Sequence, residues 1–347
     1  MNTFGNRFRI SIFGESHGPC IGVTIDGVLP GVPLTEEDFT QDLARRKAGA
    51  KGTTPRLEAD LPEILSGVWD GHTTGAPLTV LFRNENTRPE DYEQFRRHPR
   101  PGHADFTANL KFGGYNDLRG GGHFSGRVTL GVVAAGVVAK KMMHFARFHA
   151  QLVAVGGSDD PRDWSRLLDQ AQADGDSLGA LVECTVEGLP IGLGEPFWDS
   201  VESLISHAVF AIPGVRGIEF GDGFAAAAMR GSAHNDPFPE HACCHGEHEE
   251  GHECHCQEDG HQCHHDEGEG HHCCGRHKRP QPPVTNHAGG VNGGLTNGNP
   301  LVFRVAFKPT ASIARAGIPG RHDVCFALRT PVIVEAMAAL VLVDLAL

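Results

Sequence analysis

The chain predicts an α+β fold on three observations. Strand-like and helix-like stretches are mixed along it without the regular strand–helix–strand beat of a doubly wound sheet. Its strongest helical stretch is built from glycine, alanine and valine with little charge, as expected of a helix covered on more than one face. Glycine supplies 45 of 347 residues and aromatic residues only 7%, a composition of many turns and close backbone approaches.

Residues 8–13 alternate apolar and polar side chains and read as a strand, ended by the turn-like Gly14-Glu15-Ser16-His17-Gly18. Residues 21–28 read as its partner strand. Thr35 followed by Glu36, Glu37 and Asp38 is a helix start that carries on to about Arg46. Strands are expected at 63–68 and 78–82, and the strongest helix at 125–148, interrupted mainly by Lys140 and Lys141. Beyond it the pattern predicts strands at 151–155, 181–186 and 301–307, and helices at 163–173, 200–210 and 332–347.

A hydrophobic share of 39% and a charged share of 21% exclude a mostly disordered protein. The charge-free apolar run at 130–139 is about half a membrane span, so no transmembrane helix and no membrane partner are expected. The start MNTFGNRFRI lacks a signal-peptide pattern, which makes the cytoplasm the default location. The net charge of −13 argues against a nucleic-acid partner, although −8 of it falls in residues 240–278. Seven of the ten cysteines lie in that window too, so the rest of the chain has no disulfide framework and a reducing compartment is expected.

Residues 239–283 are different material, with eleven His, seven Cys and almost no aliphatic side chains, ending in RPQPP. They cannot bury a core. They are expected to form a solvated, disordered insertion in a single domain made of residues 1–238 and 284–347. Cys243, Cys244, Cys254, His255, Cys256, Cys263, His264, His265, His271, His272, Cys273 and Cys274 offer thiolates and imidazoles that suit Zn, Ni or Cu. Their irregular spacing, without a CxxC pair, points to loose multi-metal binding and not to one tetrahedral site. A long surface insertion is also tolerated with no role at all, because loop closure costs grow slowly with length.

Four segments carry chemistry. FGESHG sets His17 in a glycine-flanked turn after a strand, where a histidine can move a proton. RPGHAD places His103 two residues before Asp105, a carboxylate that can orient it. RGGGHFSGR opens the long helix with three glycines between Arg119 and Arg127, an anion site if backbone N–H groups and guanidinium donors converge. KPTASI and GRHDVC add Lys308, Arg321, His322 and Asp323. Together they point to a phosphorylated ligand held by some of Arg45, Arg46, Arg100, Arg127 and Arg321, with two histidines for proton traffic. No GxGxxG, GxxxxGK[ST] or redox CxxC occurs, which excludes the common dinucleotide, P-loop and thiol sites.

These strings, with DGVLPGVPLTEEDF, TTGAPL, GEPFWD, GIEFGDGF, RGSAHND, TNHAGG and EAMAALVL, resemble the chorismate synthase family over nearly the whole chain outside the 239–283 window. The resemblance implies a β-α-β sandwich of two antiparallel sheets around central helices, assembled as a homotetramer. It implies 1,4-anti-elimination of phosphate from 5-enolpyruvylshikimate 3-phosphate to give chorismate in aromatic amino-acid biosynthesis, dependent on reduced FMN. The family's catalytic histidines fall on His17 and His103. One protonates the reduced flavin and the other helps the phosphate leave, and the motif order favours His17 at the flavin. Asp323 would assist proton removal. Arg45, Arg46, Arg100 and Arg127 would bind substrate. His123, Phe124, Ser125, Gly293, Lys308, Pro309, Thr310, Ala311, Ser312 and Arg321 would bind the flavin. With no nicotinamide motif for NADPH, an external flavin reductase is the expected partner. The chain departs from the family pattern at His123 and Phe124, in a shortened loop after Ser312, and at Val324. The window suggests a rival reading, a metal-storage or metal-delivery protein on a catalytically weakened chorismate synthase scaffold.

Overall fold

The computed structural model describes residues 2–239, 281–318 and 322–347. The expected metal ligands between Cys243 and Cys274, and the expected flavin contact Arg321, lie outside the described residues.

Five strands form the first sheet: β1 (Thr3–Phe4), β2 (Arg9–Gly14), β3 (Cys20–Asp26), β4 (Glu63–Ser66) and β5 (Leu78–Arg83), in the order β1-β2-β3-β5-β4. Every pairing is antiparallel. Its register places Ile21 opposite Phe82, Val23 opposite Val80 and Ile25 opposite Leu78, all with no exposure, so one face is continuous core. The second sheet holds β6 (Arg147–Val155), β7 (Ala180–Glu187), β8 (Val215–Phe220) and β9 (Leu301–Phe307), in the order β8-β9-β7-β6, again antiparallel. The sequence LVFRVAF of β9 alternates fully buried with half-buried side chains, as period 2 requires.

Six α-helices of seven residues or more complete the architecture: α1 (Thr40–Arg46), α2 (Asp105–Lys111), α3 (Thr129–Met142), α4 (Pro161–Ala173), α5 (Val201–Val209) and α6 (Pro331–Ala346). Helix α3 packs on β2, β3 and β5, while α6 packs on β6 and β7, and the two helices pack on each other between the sheets. Residues 332–343 of α6 are buried on every side, the signature of a helix inside a protein. Glycine makes this possible in α3. A side chain at Gly131 would begin 2.9 Å from the Gly22 carbonyl of β3, and one at Gly136 would begin 2.7 Å from the Ala336 Cα of α6. A single apolar core runs through both sheets.

The helix expected at 125–148 is shorter at both ends. Ser125 starts a 3-10 turn (Gly126–Val128), and α3 stops at Met142 because Met143 leaves helical geometry. Phe148 belongs to β6, where it pairs with Val186. No helix among the described residues is long and apolar enough to cross a membrane.

Candidate active site

A cavity of about 570 Å³ opens where the α3 N-terminus meets the end of α1, the segment ahead of β8 and the segment after β9. That volume suits a cofactor-sized ligand.

The RGGG turn builds one wall. Gly120, Gly121 and Gly122 have φ of 61°, 84° and 55°, a left-handed run that side chains rarely adopt. Space also requires glycine: a side chain at Gly120 would collide with the His17 ring, and one at Gly122 with the Asp117 carbonyl. The turn delivers His123, Phe124, Ser125 and Arg127 to the cavity. His123 Nδ1 lies 2.7 Å from the Gly14 carbonyl oxygen, which only accepts, so that nitrogen carries the proton.

The arginines are tied from behind. Arg127 donates from Nε to Asn84 Oδ1 at 2.6 Å and from Nη1 to Asp60 at 2.8 Å, while its buried Nη2 has no hydrogen-bond partner. Arg46, 2% exposed, donates to Thr129 Oγ1 and to the Gly126 and Arg127 carbonyls, and stands 3.8 Å from Asp60. Burial, and then the charge of Arg329, push its guanidinium down to about 9, so it remains a cation at neutral pH. Arg45 turns the other way. It forms a two-pronged pair with Glu335 on α6 and does not line the cavity, because adjacent helical residues point about 100° apart. Arg100 lines the cavity, but its donors go to Asp105 and Ser312.

His103 also lines the cavity, with Nδ1 2.7 Å from Asp105 Oδ1. A carboxylate accepts only, so Nδ1 donates to it, and the nearby Arg100 Nη2 at 3.1 Å is a second donor around the same acceptor. Burial pushes the Asp105 carboxyl up, yet the bonds from Arg100 and His103 outweigh it and hold the group well below the usual carboxylate range. His103 stands on the side of the 308–312 segment, where Lys308 Nζ donates to the Gly102 carbonyl at 2.9 Å. Burial, and then Arg216, push the Lys308 ammonium below its ordinary value. His17 stands on the arginine side. Its ring is 6% exposed, packs edge-on against Tyr92 at 4.9 Å and reaches the cavity wall through Tyr92 and Gly120. Asp323 is at the wall, accepting the Thr54 N–H at 2.9 Å and both Arg329 donors at 3.2 and 2.8 Å.

The structure therefore brings together Arg46, Arg100, Arg127, His103, His123, Phe124, Ser125, residues 308–312 and Asp323 around one cavity, with His17 just behind. Gly293 is not brought there. It sits in the turn between Val291–Asn292 and Leu295–Thr296, where an added side chain would meet nothing within 4 Å. Sequence reading missed Arg56, Glu58, Asp60, Tyr92 and Arg329, all at the wall. The first three carried a signal, because charge at every second residue of PRLEAD places Arg56, Glu58 and Asp60 on one side of an extended segment. Among the described residues no group of three or more His, Cys, Asp or Glu is placed to hold a metal ion.

The family model for chorismate synthase matches residues 8–347. A chorismate synthase of Chitinophaga pinensis is 53% identical, covering 99% of this chain and 96% of its own. One of Dehalococcoides mccartyi is 39% identical, covering 100% and 96%. A crystal structure of chorismate synthase aligns with a TM-score of 0.68 at 25% identity, covering 98% of this chain and 92% of that one. This similarity does not favour the metal-storage alternative. The sheets apart from β1, the glycine turn and the cation-lined cavity lie within the matched residues, and the chain belongs to the chorismate synthase family, lyases that act on phosphates.

Proposed function

We propose that this cavity binds 5-enolpyruvylshikimate 3-phosphate beside reduced FMN and carries out the anti-1,4-elimination that releases phosphate and forms chorismate. One observation carries the reading: Arg127, with its buried and unpartnered Nη2, shares the cavity with Arg46, Arg56, Arg329 and Lys308. Forked donors in a sheltered site suit a phosphate and carboxylates.

The residues present also fit the flavin. Thr310 Oγ1 is a second buried polar atom without a partner at the wall, and the aromatic faces of Phe124 and Phe326 flank the same space. Ser125, Lys308, Thr310 and Ser312 would hold it. What reduced FMN supplies when bound is electron density for the breaking C–O bond, recovered as the C–H bond breaks. The chain's own groups do the rest. Arg46, Arg127 and Arg329 orient the anion and offset charge on the departing phosphate. His17, on the arginine side, serves the phosphate oxygen. His103, fixed by Asp105 against the 308–312 segment, holds the proton that faces the flavin. This assignment reverses the one favoured by motif order, and the two sides of the cavity support it. Asp323 keeps one acceptor site beyond its three bonds, from which it can assist removal of the substrate proton.

A homotetrameric assembly, from the family resemblance, an external reductase, from the lack of a nicotinamide motif, and a cytoplasmic location complete the reading. Metal binding by residues 243–274 stays an accessory property to be measured by metal content with and without that window.

The test is anaerobic turnover with chemically reduced FMN, following chorismate and phosphate together. Stoichiometric release of both, slowed on the order of 100-fold or more but still measurable in His17→Ala and His103→Ala, is expected. No product at saturating flavin overturns the reading.

A further inference from the structure

We propose that Asn84 is a positioning residue that joins the arginine clamp to the turn carrying His17. It stands directly after β5, outside the motifs quoted above for the family resemblance, and it is not at the cavity wall. Its partners fix its orientation. Arg127 Nε can only donate, so Oδ1 faces it at 2.6 Å. The carbonyls of Glu15 and Gly18 can only accept, so Nδ2 faces both, at 3.0 and 2.8 Å. Its backbone N–H adds a bond to the Pro19 carbonyl at 3.1 Å. One amide thus spans both ends of the Glu15–Gly18 turn and grips one edge of the guanidinium.

The consequence for Arg127 follows from counting donors. Asn84 takes the Nε hydrogen and Asp60 one of the two on Nη1, so the buried Nη2, with both of its hydrogens, is the one nitrogen left wholly for a ligand. The consequence for His17 follows from the turn. Arg56 holds its outer side through the Ser16 carbonyl and hydroxyl, both at 3.0 Å, but Arg56 is itself a cation of the cavity wall. Asn84 adds no charge and touches no ligand space. What it supplies is the register between a proton-carrying group and an anion-binding one. A misplacement of about 1 Å between such groups costs on the order of 100-fold in rate.

Two substitutions separate the two grips. Asn84→Asp keeps an acceptor for Arg127, now charge-assisted, but sets an oxygen against the two carbonyls of the turn. Asn84→Ala removes both grips. The inference rests on the proposed function, so wild-type turnover is established first, and circular dichroism checks that each variant folds. For Asn84→Asp, kcat is expected to fall on the order of 100-fold while KM and the affinity for inorganic phosphate stay near wild type. For Asn84→Ala, phosphate affinity by calorimetry is expected to fall about tenfold as well, since one bond to a charged group is lost. In a His17→Ala background, Asn84→Asp should lower kcat no further, because both changes act through one group. An unchanged kcat in Asn84→Asp, or equal losses with and without His17, overturns the link to the turn. Unchanged phosphate affinity in Asn84→Ala overturns the link to Arg127. A wild type without turnover sinks the functional reading by itself and leaves the phosphate measurement to judge the second link.

Discussion

Replacing Glu335 by leucine removes a carboxylate that is 1% exposed in the enclosed, otherwise apolar stretch 332–343 of α6. Four donors converge on it: Arg45 Nη1 at 2.8 Å and Nη2 at 2.6 Å, Lys140 Nζ at 2.8 Å and the Ala150 N–H at 2.8 Å. Burial pushes the carboxyl up, but the bonds from Arg45 and the charge of Lys140 prevail and hold it below its ordinary value. In Glu335→Leu the Ala150 N–H loses its acceptor inside the core, which costs about 1–3 kcal/mol. Arg45 and Lys140 each keep Asp42 within 3.3 and 2.7 Å, so neither cation is stranded. The total therefore falls near the low end for breaking a buried pair, about 3 kcal/mol. An unfolding entropy of about 2.1 cal/mol/K for each of the roughly 300 described residues converts this to a Tm loss of about 5 °C. Thermal melts by circular dichroism at pH 7 measure it. Because the folded pKa is depressed, the contribution is present above about pH 4.3, the unfolded value, and is lost as pH falls, so the two melts should converge in acid. A Tm loss under about 1 °C at pH 7, or a gain, would refute the reasoning by showing that desolvation cancels the four contacts.

Gly136→Ala sets a methyl group against the Ala336 backbone, which cannot yield locally, and should cost about 1–3 kcal/mol. Adding Ala336→Gly should restore part of the lost Tm, and a double variant no better than the single one contradicts the contact. Asp105→Asn removes the charge and turns one of the two oxygens that accept from Arg100 and His103 into an NH2 donor, and should lower stability by about 3 kcal/mol at pH 7. The Asp105 carboxyl is depressed in the folded state, so this wild-type advantage is full above about pH 4 and shrinks as pH falls, which urea titrations at pH 7 and in acid would resolve.

The elements that sequence pattern predicts best are those where burial alone sets it. Strand β9 alternates cleanly, and residues 332–343 of α6 are apolar apart from Glu335 because they are enclosed on every side. Strand β8 escaped because Gly217 and a bulge beside it break the alternation of VRGIEF. Helix α2 escaped because Phe106 and Leu110 point outward at 58% and 67% exposure, leaving no inward apolar stripe to read. The site shows a similar division. RGGG was legible because three left-handed residues can be met only by glycine. Arg45 and Arg46 were indistinguishable, since what separates them is Glu335, 290 positions away. Asn84 left no trace in sequence, because its partners come from two other segments of the chain.

The placement of the His/Cys window makes its contribution measurable. Strands β8 and β9 pair with Val215 opposite Phe307 at one end and Phe220 opposite Phe303 at the other. The cavity uses the first end, through residues 210–216 and 308–312. The flanks of residues 240–280 are fastened at the second. The Val284 N–H donates to the Pro237 carbonyl at 2.8 Å, Asn299 Nδ2 donates to the Pro283 carbonyl at 3.1 Å, and the Asp222 N–H donates to the His287 carbonyl at 2.9 Å. About five strand residues, roughly 17 Å, separate these flanks from the cavity end. Because Pro237 and Val284 already touch, a linker of about five residues can replace the 41 residues between 240 and 280 without moving either strand. Closing the shorter loop should stabilise the fold by about 2 kcal/mol, a Tm gain of roughly 3 °C, with kcat and KM within about twofold of the full chain. A lower Tm would mean that the window makes contacts worth more than its closure entropy. Lost turnover in a folded deletion variant would mean that the window reaches a site, in this or a neighbouring copy, that strand geometry alone keeps apart from it.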